Sequence, residues 1–123
     1  MQLGAFSISL SVKNLETSII FYEKLGFSAI GGNLDSKYVI MKNDQTVIGL
    51  FEKMFEGNML TFNPGWDQEG NMLKQYDDIR TIQKDLINNG VKLANTIEET
   101  TIGPANLMLT DPDGNVILID QHV

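Results

Sequence analysis

Residues 5–27 read AFSISLSVKNLETSIIFYEKLGF, and the fold turns on how this stretch is interpreted. Over its first eight positions Phe6, Ile8, Leu10 and Val12 alternate with Ser7, Ser9 and Ser11. A period of two is the mark of a strand with one packed face and one open face. Asn14 then stands where a side-chain oxygen can accept a hydrogen bond from the first turn of a helix. Leu15, Ser18, Ile19, Tyr22 and Leu25 recur at helical spacing, and Gly26 supplies the left-handed residue that ends a helix. The segment is a strand, a cap, a helix and a stop.

Working outward, three strand-like runs follow near residues 27–31, 37–41 and 46–51, with Gly31-Gly32 and Asn43-Asp44 as turn chemistry between them. Together they make a βαβββ unit. From Glu52 to Gly70 the pattern fades into a stretch containing Gly57, Asn58, Asn63, Pro64 and Gly65, read here as a long connection. The first pattern then returns. A shift of 64 carries Val12-Lys13-Asn14-Leu15 onto Tyr76-Asp77-Asp78-Ile79, Tyr22 onto Leu86, Gly26 onto Gly90 and Phe27 onto Val91. A shift of 69 carries Val47, Ile48 and Leu50 onto Val116, Ile117 and Ile119. Agreement in cap, apolar face, stop and last strand argues for internal duplication. Asp111-Pro112-Asp113-Gly114 is the turn of a closing hairpin. The expectation is an α+β fold of two βαβββ modules forming a cupped mixed sheet. It is one domain over 1–123, with modules at about 4–52 and 70–123 joined by 53–69.

Composition narrows the function. The chain has 123 residues, enough for a core without staples, and no cysteine, which removes disulfides, thiolate metal sites and thiol nucleophiles. The net charge of −7 is spread along the chain, which argues against nucleic acid or an anionic membrane as partner. No apolar run is long enough to span a bilayer, and a cytoplasmic location is expected. No glycine loop that cradles phosphate precedes a helix.

Residues 12–27, with Phe21-Tyr22 and Leu25-Gly26-Phe27, resemble the first strand-helix segment of the vicinal-oxygen-chelate superfamily, the group of glyoxalase I, extradiol dioxygenases and bleomycin-binding proteins. Asp111-Pro112-Asp113-Gly114-Asn115 resembles its last hairpin, and residues 60–67 resemble a block from an uncharacterised bacterial branch. The resemblance implies a metal held by His and Glu side chains on the first and fourth strands of each module. Here those places fall at Ser7, Asn71, Gly49 and Leu118, and the only histidine in the chain is His122. Serine and asparagine are weak neutral donors, and glycine and leucine offer no side-chain oxygen. No metal and no cofactor are therefore expected.

Without a metal, strand alternation gives the cup Ser7, Ser9, Ser11, Gly49, Phe51, Asn71, Leu73, Leu118 and Asp120, a mixture of apolar walls and a few hydrogen-bonding groups that suits a small organic molecule. Gly49 would leave room and Phe51 a stacking surface. Phe62 and Trp66, near several carboxylates, would favour an aromatic or cationic ligand; if they instead anchor the long loop onto the core or fill a dimer interface, Pro64-Gly65 is the turn that aims Trp66 inward. The resemblance further implies a homodimer. The leading expectation is a small-molecule binding protein of the glyoxalase/bleomycin-resistance type. The alternative is an enzyme of the same superfamily, a lyase, isomerase or dioxygenase-like catalyst, with displaced metal ligands or with Asp120, His122 or Glu52 as acid and base. Each of these residues also has a plain structural role open to it, in sheet packing, loop anchoring or an exposed chain end.

Overall fold

The computed structural model describes residues 1–123, which form β1 (Ala5–Val12), α1 (Leu15–Lys24), β2 (Ser28–Asn33), β3 (Tyr38–Asn43), β4 (Thr46–Glu52), β5 (Met59–Asn63), α2 (Ile79–Asn88), β6 (Ala105–Thr110) and β7 (Val116–Gln121). The fold is α+β with mixed strand pairing. Neither helix is long and apolar enough to cross a membrane. Residue contacts group the chain into two compact units, residues 7–59 and residues 1–6 with 60–123.

In the unit of residues 7–59 the strands lie in the order β2-β3-β4-β1. β1 and β4 run parallel, with Ser9 opposite Gly49 and Ser11 opposite Phe51. Parallel neighbours need a crossover, and α1, β2 and β3 supply it. Alternation sends Ile8, Leu10 and Val12 to one face of β1, where they pack with Leu15, Val39, Met41, Ile48 and Leu50 under the helix. Met41 and Leu50 are wholly buried, each contributing roughly 1.5–3 kcal/mol. The other unit repeats the plan with β5-β7-β6 and a core of Ile79, Ile82, Leu107, Leu109 and Ile119.

The duplication extends to individual hydrogen bonds. Asn14 accepts from the Thr17 amide and Asp78 from the Arg80 amide, so both helices are capped at the expected residues. Both end alike: Phe27 N–H, just after Gly26 at φ +92°, donates to Tyr22 C=O, and Val91 N–H, just after Gly90 at φ +79°, donates to Leu86 C=O. At the start of α1, Leu15 N–H donates to Glu52 Oε1 (3.2 Å), and at the start of α2, Ile79 N–H donates to Gln121 Oε1 (2.8 Å). The two sequence shifts, 64 and 69, relate both partners of this pair.

Two local features differ from the sequence reading. The supposed connection over 53–69 contains β5, a short strand whose turn-rich neighbours mask it. Residues 71–76, read as a strand leading to the second helix, instead follow a small hairpin made by the Trp66–Met72 bridge. After α2 there is also no counterpart to β2. Its place is taken by an irregular segment pinned by side-chain amides. Asn95 Nδ2 donates to Asn106 C=O (2.9 Å) while its Oδ1 accepts from Met108 N–H (2.7 Å), and Gln83 makes both main-chain hydrogen bonds of Ile97.

The buried Gln121, 1 % exposed, also donates to Asp78 Oδ2 (3.1 Å), Gly103 C=O and Val123 C=O. Arg80 completes the cluster through Asp78, Thr101 and Gly103. Replacing Gln121 by Leu orphans the Ile79 amide and removes a donor from Asp78. The expected loss is about 1–3 kcal/mol in denaturant unfolding, with the slope unchanged. Burial works against the Asp78 charge, but hydrogen bonds from the Arg80 amide, Gln121 and the Arg80 guanidinium outweigh it and hold the carboxyl below its usual range. The Glu52 carboxyl is likewise lowered, chiefly by the Leu15 amide against a small cost of burial, with Lys37 assisting. A carboxyl depressed in the folded state stabilises it above its ordinary pKa, and that stability is lost as pH falls through the folded value. Acid titration of unfolding should show this loss, flattened in Asp78→Asn.

Candidate functional site

The face of the 7–59 unit opposite α1 is set by register: Ser9 beside Gly49, Gly49 beside Ile40, and Phe51 between Ser11 and Tyr38. Ser7 occupies the same row of β1 by alternation. Gly49 is not a vacancy. A Cβ built there would lie 2.5 Å from Phe51 Cε2 and 3.3 Å from Ile40 Cδ1, because the Phe51 ring folds back over the glycine. Phe51 in turn stacks on Tyr38 (centroids 5.7 Å, 11°) and tilts against Phe55 (5.3 Å). Ser11 is committed as well, its hydroxyl donating to Phe55 C=O at 2.7 Å. Glu52, considered as an acid or base, is held by the Leu15 amide and by Lys37 Nζ at 3.4 Å.

In the other unit, Leu118, Asp120 and His122 follow one another on the side of β7 opposite α2, with Leu118 across from Met108 and Asp120 across from Asn106. Asp120 Oδ2 lies 3.1 Å from His122 Nε2. The imidazole is stacked on Trp66, with centroids 4.7 Å apart and planes 8° from parallel. Trp66 is placed by the turn expected at Pro64-Gly65: its N–H donates to Asn63 C=O (3.2 Å), with Gly65 at φ +92°, the pattern of a type II turn with Pro second and Gly third. Asn63 also fixes the neighbouring strand, its Nδ2 donating to Asp120 C=O at 2.8 Å. The other side of this hairpin is bound to the start of β1, where Trp66 C=O accepts from Ala5 N–H and the Gln68 amide makes both main-chain bonds of Phe6. Trp66, Asp67, Gln68, Leu73 and Leu3 line an open depression of about 420 Å³.

Of the residues expected at the site, this unit links Trp66 and Asp120 through His122, with Leu73 joining Trp66 in the depression. Phe62 packs its ring on Phe6 at 5.2 Å. Asn71 is exposed on a turn and presents no ligating face, because the strand on which it was placed does not exist. Asp67 accepts from the Glu69 and Asn71 amides, and Asp111 accepts from the Asp113 and Asn115 amides. The sequences Asp67-Gln68-Glu69-Gly70-Asn71 and Asp111-Pro112-Asp113-Gly114-Asn115 are thus one turn used twice. That likeness was the available signal for the hairpin. His122 as a stacking partner of Trp66 had no sequence signal, since 56 positions separate them.

The donors do not fit a family-type metal. Ser7 offers one neutral hydroxyl, Gly49 and Leu118 offer nothing, and Asn71 is at a turn. No three His, Asp or Glu side chains gather anywhere in the chain.

A strand, a capped helix and a closing hairpin made twice, with matching hydrogen bonds, define a duplicated α+β protein of paired modules. The chain belongs to the Glyoxalase/Bleomycin resistance protein/Dioxygenase superfamily, whose model matches residues 4–119. Its fold is similar to a superfamily member from Vibrio splendidus 12B01 (16% identity, 94% of this chain and 97% of that one, TM-score 0.63). It is also similar to a protein from Legionella pneumophila described as an NAD-dependent benzaldehyde dehydrogenase (15%, 96% and 99%, TM-score 0.70). A third similar structure is Streptomyces coelicolor methylmalonyl-CoA epimerase in complex with 2-nitronate-propionyl-CoA (13%, 99% and 99%, TM-score 0.61). No curated protein matches the sequence.

Substitution of Gly49 by Ala tests the packing of the first face. The added methyl must displace the Phe51 ring, and overpacking of this kind costs about 1–3 kcal/mol. A lowered unfolding free energy, together with a changed near-ultraviolet aromatic signal from the Tyr38–Phe51 stack, is the expected result.

Proposed function

We propose that this protein binds a small planar or cationic organic molecule without the metal used by many of its relatives, at the Trp66 wall of the 1–6 and 60–123 unit. The observation that carries this reading is the position of Trp66, with the His122 imidazole stacked on its ring, Asp120 bonded to that imidazole, and Trp66 itself lining an open depression. An indole face next to a carboxylate attracts a planar cation by stacking, by the ring quadrupole and by charge. The unsuitable donors at Ser7, Gly49 and Leu118 support the metal-free part. Phe62 is engaged with Phe6, and Ser9 and Phe51 are engaged within the 7–59 unit, so the reading gives none of the three a direct ligand contact.

The same reading has the protein acting as a homodimer in the cytoplasm. Ile20, Phe21 and Leu25, about half exposed on and just after α1, support a self-association surface, which sedimentation would reveal. A catalytic reading has one observation behind it: His122 Nε2 and Asp120 Oδ2, a base and an acid side chain, lie within hydrogen-bond reach at 3.1 Å.

Metal analysis after mild purification, with thermal unfolding measured with and without a chelator, checks the metal-free part. Less than stoichiometric metal and a midpoint unchanged within about 1 °C are expected, whereas tightly held stoichiometric Zn, Ni, Mn or Fe would overturn it. The binding part is checked by a panel of planar aromatic and cationic compounds, read by the fluorescence of Trp66, the only tryptophan. At least one should change that emission saturably in the unmodified protein.

A further inference from the structure

His122 makes the contacts that a ligand of the proposed class would make. Its ring is planar and lies flat on Trp66 at 4.7 Å and 8°, and a ring nitrogen is directed at Asp120 Oδ2 at 3.1 Å. It stands just past the end of β7, two residues from Asp120, and its side chain is 46 % exposed. The imidazole has Asp120 as its one polar partner, and the Asp120 carboxylate has no other hydrogen-bond or ion-pair partner. The main chain beneath the three residues is held: at Trp66 by its type II turn and the bond from Ala5 N–H, at Asp120 by Asn63 Nδ2 at 2.8 Å, and on either side of His122 by the buried Gln121 and its bond to Val123 C=O. An aromatic face and a carboxylate on held main chain are thus bridged by one half-exposed side chain.

We infer that His122 is a built-in surrogate ligand, and that Trp66 and Asp120 form a subsite for a planar nitrogen cation of the amidinium, guanidinium or imidazolium class, which binds by displacing the imidazole. This rests on the reading of Trp66 as a ligand wall and names the chemistry of that wall. Stacking on the indole and a charge-assisted hydrogen bond to Asp120 are the two recognition elements. A site blocked by its own side chain has an apparent affinity reduced by the fraction of time it is open. If His122 rests on Trp66 about nine-tenths of the time, its removal tightens binding about tenfold.

Benzamidine, a planar cation with a fork of N–H donors, is the probe, and benzamide is its neutral isostere. Titrations follow Trp66 emission in the wild type, in His122→Ala, and in His122→Ala carrying Asp120→Asn, each first shown to unfold cooperatively. Benzamidine should bind His122→Ala about tenfold more tightly than wild type. The gain should disappear when Asp120→Asn is added, and benzamide should show none of it. A measurement on the unmodified chain stands beside these: His122 is the only histidine, so its ring-proton resonances are assigned without ambiguity. They should lose the ring-current shift of Trp66 as benzamidine saturates. Equal affinity in wild type and His122→Ala, benzamide binding His122→Ala as well as benzamidine, or His122 resonances that stay in place while benzamidine binds would each overturn the inference. If other compounds of the panel still bind wild type in those cases, only the surrogate role of His122 fails. If nothing binds any variant, both readings fail.

Discussion

Each helix of this protein begins with a main-chain amide that must find an acceptor away from water, and each finds it on the side chain that ends the last strand of its own unit. The first four amides of a helix lack partners within it, and an unmet buried amide costs about 1–3 kcal/mol. Leu15 uses Glu52 and Ile79 uses Gln121. The choice of residue follows the surroundings. Glu52 is partly exposed with Lys37 beside it, so a carboxylate is tolerated. Gln121 is 1 % exposed and faces the Asp78 carboxylate, where a second negative charge would be repelled and a neutral amide can donate. This bond locks helix to strand, and with it the direction of the opposite strand face. There Phe51 stands in one unit and Asp120 in the other.

Much of the architecture was legible because it is written locally. Alternation over residues 5–12, the caps Asn14 and Asp78, and the stops Gly26 and Gly90 are short-range physics, and they recur at a constant offset. The strand β5 was hidden because its five residues sit among Asn58, Pro64 and Gly65, and because Thr61, though polar, is 7 % exposed and breaks the apolar pattern. The missing counterpart of β2 could not be foreseen either, since the amides of Asn95 and Gln83 do what a strand's main chain would have done.

Of the proposed site, the turn at Pro64-Gly65 was legible, and Trp66 and Asp120 were singled out by their chemistry alone. Gly49 was misread as space because the residue that fills it, Phe51, lies two positions along the same strand face, and its rotamer is decided by the stack with Tyr38. Asn71 was misplaced by an offset correct for the helix and wrong for the strand before it. Ser7, Gly49 and Leu118 do not supply the donors of a family-type metal site although the superfamily scaffold is kept, in line with function being grafted onto a fold.

Three primary amides, Gln68, Gln83 and Asn95, each hold a main-chain segment by one donated and one accepted bond. Such a group is a peptide bond in miniature, but unlike a peptide bond it hydrolyses to an acid without breaking the chain. Conversion to the acid would turn a donor into a negative oxygen facing the carbonyl it formerly served. The durability of the irregular half of the second unit is therefore limited by slow chemical ageing of its amides as well as by the strength of its core.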